Sequence, residues 1–217
     1  MQSTKERFQT TLRKQVALPY LRYAPSELPD RAPLVLFLHG AGERGRDVDA
    51  IKRHGLPRVL ETRNPFAGPV LVLAPQCPED SWWTLELDAL EALLDHALAT
   101  ETVDPDRVYL TGLSMGGHGS WHLAQKCPER FAALVPICGG GHTPLASRLT
   151  RLPIWAFHGA HDEVVPLSES QAMVEAVKRA GGNAKLTVYE DLAHNAWSRA
   201  YDTPELYRWL LEQRRLS

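Results

Sequence analysis

Arg107-Val108-Tyr109-Leu110-Thr111-Gly112-Leu113-Ser114-Met115-Gly116-Gly117 is the stretch that decides the fold. Its first half is a short apolar run, as a strand reads. Its second half sets glycines around a serine and then becomes compatible with a helix. A turn leading straight from strand to helix leaves no room for side chains beside its central residue. Glycines at 112 and 116 remove those clashes, and Ser114 can then take a strained backbone that lifts its Oγ into the open. The Met115 amide would point from a helix N-terminus toward negative charge developing in front of Ser114. Ser114 is thus the candidate nucleophile, and Met115 the first candidate oxyanion donor.

Working outward, apolar runs recur at 34–38, 70–74, 132–138, 154–158 and 185–189. A looser alternation at 16–23 is broken by Pro25 and Pro29. Leu34-Val35-Leu36-Phe37-Leu38 is apolar without interruption, as a strand buried on both faces requires. Leu90, Leu93, Leu94, Ala97 and Leu98 share one helical face. A second helix is expected over 167–180, closed by Gly181-Gly182, and Pro204 suits the first turn of a last helix through Leu211. Strands alternating with helices predict a single α/β domain over 1–217, a mostly parallel central sheet with helices on both faces. Ligands of such sheets gather outside the carboxyl ends of the strands. Each segment that carries chemistry falls there.

A serine hydroxyl is a poor nucleophile at neutral pH and needs a base. In this architecture the chain order is serine, acid, histidine, with the histidine after the last strand. Of nine histidines, His194 fits, because it follows the strand expected at 185–189. His142, His158 and His161 come too early, and His54 and His96 precede Ser114; these are placed on the surface or behind the site. Asp162 follows the strand at 154–158 and would accept from His194 Nδ1–H, fixing its tautomer. Glu163 beside it and Asp191 near His194 are the competing carboxylates. A second oxyanion amide should follow the strand at 34–38, and Ala41 in His39-Gly40-Ala41-Gly42 is the candidate. His39 is read as a residue that orders this loop. Glu43, Arg44 and Arg46 either rim the site or form a surface ion-pair cluster.

The remaining features are mostly exclusions. A net charge of −2 with no basic block gives no reason to expect nucleic acid or an acidic membrane as a partner. No run reaches the length of a membrane span, and residues 1–10 are polar, which predicts a soluble, cytoplasmic chain. Cys77, Cys127 and Cys138 form no C-x-x-C pair and read as reduced thiols. His118 and His122 have a spacing that can bind metal, but no third ligand suggests itself, so no metal is expected.

These residues resemble the α/β-hydrolase superfamily, from about residue 16 onward. More narrowly, the chain is similar to single-domain carboxylesterases allied to feruloyl esterases and polyhydroxybutyrate-depolymerase-like esterases. The likeness rests on Leu36-Phe37-Leu38-His39-Gly40-Ala41-Gly42-Glu43-Arg44-Gly45, on Ala74-Pro75-Gln76-Cys77 followed by Trp82-Trp83, on the segment around Ser114, and on His158-Gly159-Ala160-His161-Asp162-Glu163-Val164-Val165-Pro166. Dienelactone hydrolases are near neighbours but carry Cys where this chain has Ser114. The resemblance implies hydrolysis of small-molecule carboxylic esters through an acyl-enzyme, without a cofactor, by a monomer or homodimer. Thioester or peptide hydrolysis would use the same residues, and a non-catalytic binding module is the remaining alternative. Only residues 139–152 lie where many relatives insert a cap, so no large lid is expected, while 43–69 could form one wall. Trp82, Trp83 and Trp197 are candidates for lining the substrate pocket, with core or surface packing as the competing reading.

Overall fold

The computed structural model describes residues 5, 7–11 and 14–215. Among them, seven strands form one sheet: β1 (Tyr20–Tyr23), β2 (Ala32–Leu38), β3 (Leu71–Pro75), β4 (Val103–Leu113), β5 (Ala133–Ile137), β6 (Ile154–Gly159) and β7 (Ala184–Tyr189). Their order is β1-β3-β2-β4-β5-β6-β7, parallel throughout except for the β1–β3 pair at one edge. The α-helices are α1 (Gly55–Leu60), α2 (Leu87–Thr100), α3 (Met115–Lys126), α4 (Leu167–Arg179), α5 (Trp197–Asp202) and α6 (Pro204–Glu212). No described helix is long and apolar enough to cross a membrane.

The unbroken apolar run of β2 has a direct cause. Successive side chains of a strand point to opposite faces, and helices cover both. Leu34, Leu36 and Leu38 pack with Leu90 and Leu94 of α2, Leu123 of α3 and Met173 of α4. Val35 and Phe37 pack with Leu56 of α1, Tyr201 of α5 and Leu206 of α6. The expected helical face of Leu90, Leu93, Leu94 and Ala97 is buried, while Leu98 is only partly so.

Most strand boundaries fall within one or two residues of expectation, and two differ by more. The run at 16–23 is strand only from Tyr20, because an edge strand with half-exposed residues carries little hydrophobic pattern. The strand expected at 108–111 reaches back to Val103, through Asp104-Pro105-Asp106. Its register against β2 shifts between Ala32 and Leu34, and such an irregularity lets a proline sit in a central strand.

The chain leaves β2 toward β3 on one side and leaves β4 toward β5 on the other. The connections diverge there and open a crevice at the carboxyl ends of β2 and β4. Residues 39–42 and Ser114 both border it.

Candidate active site

Ser114 sits between β4 and α3 at φ 53° and ψ −116°, a backbone conformation that L residues seldom take. Its N–H donates to Ile137 O on β5 at 2.9 Å, so the neighbouring strand holds the turn in place. A Cβ on Gly112 would lie 2.4 Å from Gly116 O, and one on Gly116 only 2.0 Å from Leu38 O. Both contacts are to backbone, so α3 can approach β2 and β4 this closely only because those positions are glycine.

His194 lies on the loop after β7. Its Nε2 is 2.9 Å from Ser114 Oγ and its Nδ1 2.7 Å from Asp162 Oδ2. Asp162 is buried, and its Oδ1 accepts the amides of Val164 and Val165, each at 2.9 Å. Burial alone would raise its pKa. The hydrogen bonds from His194, Val165 and Val164 outweigh burial and hold the carboxyl below its ordinary value. The competing carboxylates are elsewhere. Glu163 is exposed, and Asp191 is gripped by both terminal nitrogens of Arg199, which holds it at about 2.

The loop after β2 brings Ala41 to the start of a short 3-10 turn, and Met115 opens α3. The first amides of a helical segment have no acceptor within it, so both are free to serve a ligand. His39 orders this loop from beneath. Its Nδ1–H donates to Gly40 O at 2.6 Å, and its Nε2 accepts the Cys77 amide at 2.9 Å. Desolvation drives its pKa down to about 4. Because the folded value lies below the ordinary 6.5, the unfolded chain takes up the proton first as pH falls. His39 therefore adds stability above about pH 6.5 that disappears progressively toward pH 4. The expected loss is about 3 kcal/mol over that window. Denaturant unfolding of wild type and His39→Gln at several pH values measures it, and parallel curves for the two proteins would refute it.

The three tryptophans separate. Trp83 is fully buried, packs edge-on to His39 at 5.0 Å between ring centroids, and donates Nε1–H to His39 O at 3.0 Å. It supports the loop from the core, which corrects its assignment to a pocket wall: no face of it remains for a ligand. Trp82 is 48% exposed and lies under the Arg44 guanidinium, 4.7 Å from ring centroid to Cζ. Trp197 stands edge-on to His194 at 5.0 Å and to His54 at 6.0 Å. His54 comes from the 43–69 connection, which therefore forms part of the wall beside His194. The connection from β5 to β6 holds only a 3-10 turn, Thr143–Leu149, and no helical cap. Glu43 does not lie on the surface, and its Oε1 stands 3.8 Å from His54 Nε2. It is buried, with Oε2 lacking a hydrogen-bond partner, and desolvation raises its pKa.

All three cysteines are free and buried, and burial pushes each thiol up to about 12. Among the described residues, Cys138, His158 and Asp162 place ligand atoms within 4.8 Å of one another. These atoms are already committed to hydrogen bonds, the Cys138 thiol to His194 O at 3.2 Å.

A family model described as phospholipase/carboxylesterase matches residues 60–203. The chain is 29% identical over 158 residues to a bifunctional acetylxylan esterase/xylanase of Neocallimastix patriciarum, a match covering 70% of this chain and 22% of that one. It is 28% identical over 138 residues to poly(3-hydroxyalkanoate) depolymerase C of Paucimonas lemoignei, covering 57% and 31%. The chain thus spans well under half the length of these relatives. The crystal structure of a thermostable esterase superposes with a TM-score of 0.81 at 35% identity, over 91% of this chain and 60% of that one. That of the esterase PE8 has the same fold, with a TM-score of 0.69 at 23% identity over 90% of this chain and all of the other. The chain belongs to the phospholipase/carboxylesterase family of α/β-hydrolases.

Proposed function

We propose that this chain is a serine carboxylesterase that hydrolyses small or aryl carboxylic esters through an acyl-enzyme on Ser114. The observation that carries this reading is the continuous hydrogen-bonded chain Ser114 Oγ–His194–Asp162, with a nucleophile held at positive φ at the mouth of a crevice.

Ser114 Oγ attacks the ester carbonyl while His194 Nε2 takes its proton. Asp162 stabilises the imidazolium that forms and keeps Nδ1 protonated. The amides of Ala41 and Met115 hold the oxyanion of the tetrahedral intermediate. His194 then protonates the departing alcohol. A water molecule, deprotonated by the same ring, attacks the acyl-enzyme, and the acid leaves. Trp82 and Trp197 are proposed as aromatic walls for the acyl or alcohol group, and the lack of a cap after β5 favours compact or extended esters over long lipid chains.

Turnover of p-nitrophenyl acetate, butyrate and octanoate and of methyl ferulate tests the substrate class, and a fluorophosphonate probe tests the nucleophile. The expected result is turnover that falls with acyl length and one phosphonyl group on the peptide containing Ser114. Unchanged ester turnover after complete labelling, or labelling at another residue, would overturn the proposal.

A further inference from the structure

The proposed mechanism leaves the arginine of the oxyanion loop unused. Arg44 closes the short 3-10 turn that begins at Ala41. Its Nε donates to Ala41 O at 3.0 Å and its Nη1 to Ser81 O at 3.2 Å. One face of the guanidinium lies over the Trp82 ring, with Cζ 4.7 Å from the centroid. The next residue, Gly45, donates its amide to Cys77 O at 3.1 Å, so the backbone is tied down as well. A side chain held in this way has already lost the rotamer freedom that a surface arginine keeps.

What this guanidinium lacks is an anion. Among the described residues no carboxylate pairs with it, and its Nη2 meets no acceptor. The acids around it are directed elsewhere. Glu86 accepts from Ser81 Oγ at 2.6 Å and faces Lys14 Nζ at 3.8 Å. Glu43 is buried beside Gly40 and His54. Asp80 is exposed and forms no ion pair with Arg44. Arg44 itself is only half-buried, Trp82 is half-exposed, and a Cβ on Gly42 would meet nothing within 4 Å, so the loop is open to solvent here. A fixed, permanently charged and unpaired guanidinium with a free edge of N–H groups suits a carboxylate, and little order remains to be lost when one binds.

Its place on the loop limits which carboxylate. Arg44 Nε is one hydrogen bond from the carbonyl of Ala41, the residue whose amide serves the oxyanion in the proposed mechanism. The free edge therefore lies about 6–8 Å from the scissile carbonyl, the span of two extended residues. We propose that Arg44, backed by Trp82, is a subsite for a carboxylate on the ester substrate. The preferred esters are then monoanions with the charge at that distance, such as half-esters of six-carbon diacids or acyl esters of aromatic hydroxy acids. This rests on the reading of Ser114, His194 and Asp162 as the reacting groups. The carboxylate takes no part in the chemistry. Its contact is equal in ground and transition states, so it acts on KM rather than on kcat.

Two matched pairs test the subsite at about pH 7.5, where both carboxylates are ionised. Mono(4-nitrophenyl) adipate against 4-nitrophenyl hexanoate places the charge on the acyl side. The pair 4-acetoxybenzoate and 4-acetoxybenzamide places it on the alcohol side. Expected is a kcat/KM about fivefold or more higher for the anion in at least one pair, expressed in KM, and the responding pair names the side. Raising salt from about 20 mM to about 0.5 M should cut the preference about threefold. Arg44→Gln should cut it about tenfold, and Arg44→Lys, which keeps the charge without the planar fork, about threefold. Either substitution also frees the Ala41 carbonyl and should lower kcat for charged and neutral esters alike, so the ratio within a pair is the readout. A wild-type protein that favours neither anion overturns the subsite, as does a preference indifferent to salt or left intact by Arg44→Gln. The wild-type comparison and its salt series need no variant, and they decide the matter should Arg44→Gln not fold. Neutral-ester turnover that survives Ser114→Ala would instead overturn the esterase mechanism itself.

Discussion

Ser114→Ala is expected to lower kcat for p-nitrophenyl butyrate by about 10⁴- to 10⁶-fold, with melting temperature and circular dichroism close to wild type. Among the described residues Ser114 Oγ pairs with His194 Nε2 at 2.9 Å, and Ser114 is only partly buried. Removing it leaves no buried polar atom stranded, because the backbone bond from Ser114 N–H to Ile137 O is kept. The residual rate should come from binding and from the Ala41 and Met115 amides, which in the proposed mechanism act on the oxyanion whatever the nucleophile. Near-wild-type activity in this variant would remove Ser114 from the mechanism.

Gly116→Ala is expected to be worse for the protein than any change to the reacting groups. The added carbon would sit 2.0 Å from Leu38 O, 2.5 Å from Leu38 C and 2.7 Å from His39 O. None of these atoms ends a flexible side chain; all belong to the backbone of β2 and the loop after it. Relief requires α3 to move off the sheet, and Leu123, Ala124 and Trp121 go with it. A destabilisation above about 4 kcal/mol follows, seen as a fall in melting temperature of about 10 °C or more, or as loss of soluble protein. Gly68→Ala is the control, because a Cβ there meets nothing within 4 Å. Equal melting temperatures for the two variants would show that helix and sheet are less tightly apposed than described.

What could be read from the chain and what could not divide along physical lines. β2 was legible because burial on both faces leaves no polar position, and β4 because the glycines beside Ser114 have a steric reason to be there. β1 was only half legible, since an edge strand exposes alternate residues. Chain order points to His194 but leaves Asp162 in competition with Glu163 and Asp191, and only the folded contact of Asp162 Oδ2 with His194 Nδ1 separates them. Trp83 was misread because a tryptophan suits a core as well as a wall, and only the fold puts its indole N–H on His39 O. Glu43 was misread for a related reason. Charge argues for the surface, yet the chain turns inward after Gly40 and buries the carboxyl.

The backbone at Ser114 has a further consequence for how this protein can change. A φ of 53° with ψ of −116° costs a non-glycine residue about 1–3 kcal/mol, carried in every folded molecule whether or not substrate is present. On the proposed mechanism, heat resistance and turnover therefore pull on this one position in opposite directions. A lineage selected only for survival at high temperature would be driven toward glycine at 114 and would lose its chemistry at the moment it gained its easiest stabilisation. Durable variants must find their added stability far from the elbow, in the helices and edge strands that leave its dihedral angles alone.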